Sequence, residues 1–244
     1  MLHLVTVANK DCPGLQLWKK SALRCGYNPI ILGMGGGPLG HDAKQFGLKF
    51  FYLKQFLNEI PKDDYVLFTD GFDVVFKDGP ETVLEKTLQV LQKDILMAAE
   101  TGEAPDKGNP YILNHDSPYL NSGVYIGRAQ ALLDVMPSSF DNLDDQRYFT
   151  QIYFHSNKIQ LDHDGVVFQC MLESPYKGKA SILHFQGKWK YVGPVVESLI
   201  DDKEIQDLAW KIHLEKKWFN YVYDNQIWFC ILFLCIAITT KCLL

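Results

Sequence analysis

The run Tyr65-Val66-Leu67-Phe68-Thr69-Asp70-Gly71-Phe72-Asp73-Val74-Val75-Phe76 constrains this chain more than any other stretch. Its opening residues are apolar, β-branched or aromatic, which predicts a short buried strand. Asp70 and Asp73 then interrupt the run, and Gly71 between them permits a tight turn. Spacing alone fits a strand-end turn with solvated acids equally well. The apolar neighbours Phe68, Phe72, Val74, Val75 and Phe76 argue instead for partial burial. Two negative charges ~6 Å apart, at an effective dielectric of about 20, repel by about 3 kcal/mol. A partly buried pair therefore requires a proton, a basic partner or a divalent cation. An all-oxygen site suits Mn²⁺ or Mg²⁺ better than a soft metal. At the carboxyl end of a strand in an α/β sheet, such a pair faces the ligand crevice.

The rest of the chain alternates strand and helix patterns. Strands are expected at Leu2–Ala8, Ile30–Leu32, Ile95–Ala99 and Leu120–Gly127, with shorter ones near Ile159–Leu161, Val166–Phe168 and Ser181–Phe185. Helices are expected at Gly14–Cys25, His41–Glu59, Pro80–Gln92, Ala129–Met136, Asp144–His155 and Glu197–Leu214. Pro80 suits a first helical position and Pro61 a helix stop. This βαβα order predicts an α/β fold with a mainly parallel central sheet and helices on both faces. Thr101–Pro118 reads as a long polar loop, of a length that is often functional. Gly33-Met34-Gly35-Gly36-Gly37-Pro38-Leu39-Gly40 is glycine-rich, but it lacks the Gly-Lys-Ser/Thr of a phosphate loop. It also follows the second strand, without the acidic residue of a dinucleotide fingerprint.

With 244 residues, the chain can bury a full core. A formal net charge of -5 gives no reason to expect nucleic acid. The six cysteines show no CxxC spacing, so neither a zinc site nor a disulfide framework is expected. Leu2 onward reads directly as a strand, with no signal peptide. Residues 1–224 are therefore expected to form one domain, followed by an apolar tail over 225–244. The uncharged run Ile227–Ile238, preceded by Lys216, Lys217, Trp218, Tyr221 and Tyr223, suits a membrane anchor with an interfacial belt. The corresponding expectation is a transmembrane helix, membrane contact through the tail and a domain facing the cytosol.

A nucleotide-sugar enzyme fits these parts. A strand-end carboxylate pair holds a cation, and the cation neutralises a departing diphosphate. A third ligand must come from a distant strand. His184 in Ser181-Ile182-Leu183-His184-Phe185-Gln186-Gly187-Lys188-Trp189-Lys190 is the candidate, although a lone strand histidine is more often structural. Lys188 and Lys190 supply positive charge of the kind that phosphates need.

Five motifs then recur in a fixed order. They are Gly47-Leu48-Lys49-Phe50-Phe51-Tyr52-Leu53-Lys54, Thr69-Asp70-Gly71-Phe72-Asp73-Val74-Val75, Leu120-Asn121-Ser122-Gly123 with Tyr125-Ile126-Gly127, Asp144-Asp145-Gln146, and Leu161-Asp162-His163 with Phe168-Gln169. In these the chain resembles the glycosyltransferase domain of the procollagen lysyl hydroxylase family, over nearly all of residues 2–192. The resemblance implies a GT-A-type nucleotide-sugar-binding fold, Mn²⁺ and UDP-glucose as donor. It implies transfer of glucose to galactosyl-hydroxylysine in a collagen-like acceptor, with retention.

By the same resemblance, Asp70, Asp73 and His184 would ligate Mn²⁺. Phe72 would stack on uracil and Thr6 would meet the uracil edge. Lys49 and Lys190 would lie near the nucleotide and its phosphates. Glu100, Asn121, Asp144, Asp145 and Gln146 would line the sugar and acceptor side. Two departures stand out. His184-Phe185-Gln186-Gly187 replaces the family's His-Gly-Asn-Gly run, and no acceptor-side tryptophan follows Glu100. The hydroxylase part has no counterpart, so no iron, 2-oxoglutarate or hydroxylation is expected. Three alternatives stay open: a galactose donor, a non-collagen acceptor, or an inactive sugar-binding module.

Overall fold

A computed structural model describes residues 1–34, 47–140, 143–171, 176–186 and 191–224. Most of the glycine-rich loop, Lys188, Lys190 and the apolar tail over 225–244 lie outside the described residues. The chain divides into two units, Met1–Gly187 and Lys188–Leu244. The boundary expected at 224 thus falls inside the second unit.

The elements of the first unit begin with β1 (Leu2–Val7), α1 (Pro13–Arg24), β2 (Pro29–Leu32), α2 (Leu48–Glu59), β3 (Tyr65–Thr69) and β4 (Val74–Phe76). They continue with α3 (Pro80–Val90), β5 (Ile95–Glu100), β6 (Tyr119–Arg128), α4 (Ala129–Asp134) and α5 (Asp145–His155). Three short strands, β7 (Ile159–Asp162), β8 (Phe168–Cys170) and β9 (Ile182–His184), complete it. Pro13 and Pro80 each occupy a first helical turn, where the missing N–H costs nothing.

The main sheet has the order β2-β1-β3-β6-β5-β7. β6 runs antiparallel to both its neighbours, and the other three pairings are parallel. Side chains alternate between two cores, as a period of two requires. Leu4, Leu67, Leu96, Val124 and Ile126 pack with Trp18 of α1 and Phe76 of β4. Val5, Val66, Phe68, Ile95, Met97 and Tyr125 face the other way, onto Phe50, Leu53 and Leu57 of α2, Leu132 of α4 and Phe149 of α5. Both faces are therefore covered, as expected for this α/β class. Each fully buried Leu, Ile or Phe stabilises by roughly 1.5–3 kcal/mol.

The second, smaller sheet has the order β4-β9-β8 and carries the site's far ligand. β4 begins immediately after Asp73, and its antiparallel pairing sets Val74 opposite His184. β6 contributes a second device. Met97 faces Tyr125, but Ala98 faces Asn121, so three residues of β6 bulge away from β5. Bulges re-aim side chains beside active sites. This one carries Ser122 and Gly123 toward β3, where the Asp70 N–H donates to the Gly123 carbonyl at 2.7 Å.

Two local expectations shift. Val166–Phe168 does not form the next strand, because the Asp162 carboxylate accepts the N–H groups of Val166, Val167 and Phe168 at 2.9, 2.7 and 2.8 Å. A side chain that takes backbone donors replaces a ladder with a turn, and β8 starts later. In the second unit, the helix expected over 197–214 is two helices, α6 (Val192–Leu199) and α7 (Lys203–Asp224). The Asp202 carboxylate accepts the Ile205 N–H at 3.1 Å and starts α7 afresh. Within this unit, Gly193 packs closely on the Trp210 indole.

The membrane expectation is corrected. Among the described residues, no helix is long and apolar enough to cross a membrane. The transmembrane helix, membrane contact and membrane-associated localisation read from the tail are therefore withdrawn. A dense apolar run is a weaker criterion than a continuous apolar helix of spanning length.

Asp78 ties β4 to α3 and β9. Its carboxylate accepts from Ser181 Oγ at 2.8 Å and lies 3.2 Å from Lys86 and 3.3 Å from Lys77. Burial pushes this carboxyl up, but these partners outweigh burial and hold it below its ordinary value. A depressed carboxylate contributes stability above its unfolded pKa, and loses it as pH falls through the folded one. Asp78→Asn is expected to cost about 1 kcal/mol at pH 7. Denaturant unfolding should show the difference from wild type shrinking toward zero as pH drops below the carboxylate range.

Candidate active site

Asp70, Asp73 and His184 offer ligand atoms that all lie within 4.8 Å of one another. Three strand ends bring them together. β3 delivers Asp70, the turn before β4 delivers Asp73, and β9 delivers His184 across its pairing with β4. His184 Nε2 lies 3.4 Å from Asp73 Oδ1 and 3.8 Å from Asp70 Oδ2. At 3.4 Å the imidazole and Asp73 approach without hydrogen-bond geometry. Both Nε2 and Asp73 Oδ1 are buried, with no hydrogen-bond partner among the described residues. Native structures rarely leave such atoms orphaned without a reason. Two carboxylates and an imidazole converging on one point fit a divalent cation.

The electrostatics agree. Burial pushes the Asp70 carboxyl above its ordinary range, with Lys49 opposing and Asp73 adding to the rise. Burial acts the same way on Asp73, but the His184 imidazole outweighs it and holds that carboxyl low. Burial would lower His184, yet Asp73 holds it well above the usual histidine value. Lys49 Nζ sits 2.8 Å from Asp70 Oδ1 and 2.9 Å from Asp145 Oδ2. Burial would lower the ammonium, and the two carboxylates more than reverse that. The pair thus has a basic partner on one side and the imidazole on the other.

These groups wall a cavity of about 250 Å³. Lys49, Asn121, Asp144, Asp145 and Gln146 line it together with the three candidate ligands. Asp144 caps α5 by accepting the Arg147 N–H at 2.8 Å. Asp145 accepts from Lys49 and from Ser122 Oγ, the latter at 2.8 Å. Glu100 lies one side chain behind the wall, 4% exposed. It accepts from Gln146 Nε2 at 2.8 Å and from Gln186 Nε2 at 3.1 Å. Burial raises its pKa despite these donors.

Two expected nucleotide contacts fall outside this lining. Thr6 is fully buried, its Oγ1 unpartnered among the described residues. Phe72 is half-buried against the core on the α1 side of the sheet.

The motif reading left three contributors without a role. Ser122 holds Asp145 and was visible only as the middle of a motif. Gln186 lines the cavity and holds Glu100, and its signal was the departure in the run after His184. Cys170, opposite His184 in the parallel β8–β9 pairing, places its Sγ 3.9 Å from the imidazole Nδ1. No pattern in the sequence marks it.

The mostly parallel α/β sheet, covered on both faces and carrying a carboxylate–imidazole cluster at its strand ends, has the GT-A fold. The chain belongs to the PLOD GT domain family, whose model matches residues 1–192, and it is a glycosyltransferase of that family.

It is 35% identical over 185 residues to procollagen-lysine,2-oxoglutarate 5-dioxygenase 2 of Mus musculus, a match covering 70% of this chain and 25% of that protein. It is 33% identical over 186 residues to procollagen-lysine,2-oxoglutarate 5-dioxygenase 1 of Rattus norvegicus, covering 69% and 25%. The chain spans about a quarter of the length of the curated relatives it matches. Among solved structures, it is similar to a glycosyltransferase involved in the glycosylation of the major capsid of PBCV-1. That likeness has a TM-score of 0.49 and 13% identity, covering 77% of this chain and 93% of the other. Apo mouse xyloside xylosyltransferase 1 gives a TM-score of 0.49 at 15% identity, covering 76% and 97%. Neither structural likeness bears on activity.

Gly123 tests the geometry directly. A Cβ there would lie 2.3 Å from His184 Cε1 and 2.8 Å from Asp70 Oδ2. Gly123→Ala is expected to push these two apart and to weaken divalent-cation uptake relative to wild type, read by calorimetry. Circular dichroism should stay native, because the clash is confined to the cavity wall.

Proposed function

We propose that this chain transfers glucose from UDP-glucose to galactosyl-hydroxylysine of collagen-like protein, with retention of anomeric configuration. The observation that carries the reading is the convergence of Asp70, Asp73 and His184 at a cavity that Lys49 and Asp145 also line. The family relationship supports the donor and acceptor classes. Mn²⁺, held by Asp70, Asp73 and His184, would supply positive charge against the leaving diphosphate.

The protein's own groups do the rest. Lys49 places a fixed ammonium at the same wall, where it favours the negative charge that develops on the diphosphate. Asp145, already bonded to Lys49 and Ser122, is oriented to accept from a sugar hydroxyl rather than to act as a free nucleophile. Asp144 is likewise engaged as a helix cap. These engagements favour front-face attack over double displacement through a carboxylate. The acceptor hydroxyl forms the new bond to the anomeric carbon as the old bond to the phosphate oxygen breaks. The departing phosphate oxygen takes the hydroxyl proton.

The deciding experiment is a panel of UDP-glucose and UDP-galactose, each with MnCl₂, with and without galactosyl-hydroxylysine peptide. Transfer is expected only with UDP-glucose and peptide together. Asp70→Ala and Asp73→Ala should each cut the rate by at least about 100-fold. Turnover of UDP-galactose, or of another acceptor, would point to a related transferase. No turnover of either donor, with or without peptide, would leave a sugar-binding module.

A further inference from the structure

We infer that Asn121 is a positioning residue for the cation site, whose amide oxygen keeps a proton of His184 on Nδ1 and so makes Nε2 the nitrogen that meets a cation held by Asp70 and Asp73. This rests on the cation site proposed above. It assigns to Asn121 a role other than contact with sugar.

The amide cannot turn over freely. Asn121 Oδ1 accepts the Gly123 N–H at 3.0 Å, which identifies that atom as the oxygen. A flipped amide would set N–H against N–H at Gly123. The oxygen that faces His184 Nδ1 at 3.0 Å is therefore fixed, and an oxygen can only accept. Nδ1 must then carry hydrogen. Cys170 Sγ, also near Nδ1, is farther away at 3.9 Å. The opposite ring nitrogen is the buried atom without a hydrogen-bond partner that points at the two acids.

The Gly123 N–H, through the Asn121 oxygen, thus fixes the ring plane of His184 and keeps a proton on Nδ1. Partners of this kind typically govern metal affinity by about 10–100-fold. Asn121 is 4% exposed, which suits a supporting group better than a substrate contact.

The test is calorimetric titration of MnCl₂ into wild type, Asn121→Leu and Asn121→Asp, with thermal melts to check folding. Asn121→Leu removes the acceptor and should weaken Mn²⁺ binding by about 10–100-fold. Asn121→Asp keeps an oxygen opposite Nδ1 and should stay within about threefold of wild type. A Leu variant that binds Mn²⁺ like wild type but transfers sugar poorly would overturn the inference in favour of a sugar contact. Equal losses in both variants would also overturn it, since the acceptor would then not be what matters. If the Leu variant fails to fold, the Asp variant decides: retained affinity upholds the inference, and a loss as deep as that of His184→Ala overturns it. If wild type takes up no Mn²⁺, the cation site falls and this inference with it. The two failures are therefore distinguishable.

Discussion

Two partly buried carboxylates within reach of each other repel, and most of this site answers that repulsion. Lys49 supplies one positive charge, bridging Asp70 to Asp145 from α2. The His184 imidazole supplies another from β9, and it depresses Asp73 where burial would raise it. Neither partner is near in sequence. The main sheet and the small sheet have to meet at the Asp70–Asp73 turn for the charges to be tolerated. The β4–β9 pairing therefore links fold stability to site chemistry: Val74 opposite His184 is both a ladder contact and the reason the ligand arrives.

A second layer holds the first in place. The bulge in β6 brings Ser122 and Gly123 to the cavity beside Asn121. Ser122 orients Asp145, the Asn121 oxygen faces His184 and accepts from Gly123, and Gly123 leaves the space that any Cβ would fill. Gln146 and Gln186 both donate to Glu100. Sites built this way need little rearrangement when charge develops, which is the main source of electrostatic catalysis. The Gln186 carboxamide belongs to this layer, at the position where the chain departs from its family's pattern.

Much of the framework could be read from pattern alone. Short apolar runs marked every strand of the main sheet, and Pro80 placed a helix start. The acids at 70 and 73 stood out because apolar residues flank them. Other features could not be read so directly. Val166–Phe168 has strand-like residues, but a carboxylate four residues earlier captures its N–H groups. The break between α6 and α7 depends on one capping aspartate within a polar stretch. The apolar tail suggested a membrane anchor; it lies outside the described residues, and no described helix meets the spanning requirement. Phe72 and Thr6 matched motif positions; Thr6 is fully buried, Phe72 is half-buried against the core, and neither lines the cavity.

What the sequence determined by itself was local: which segments form strands, where the acidic turn falls, and which family the motifs follow. These depend on neighbours within a few residues, where propensity and periodicity operate. The tertiary structure alone decided that His184 meets Asp70 and Asp73, that Lys49 joins Asp70 to Asp145, and that Asn121 faces the imidazole rather than open solvent. Those contacts join residues 21 to 114 positions apart in the chain. Only strand register and a bulge can set such distances, because both are properties of the assembled sheet.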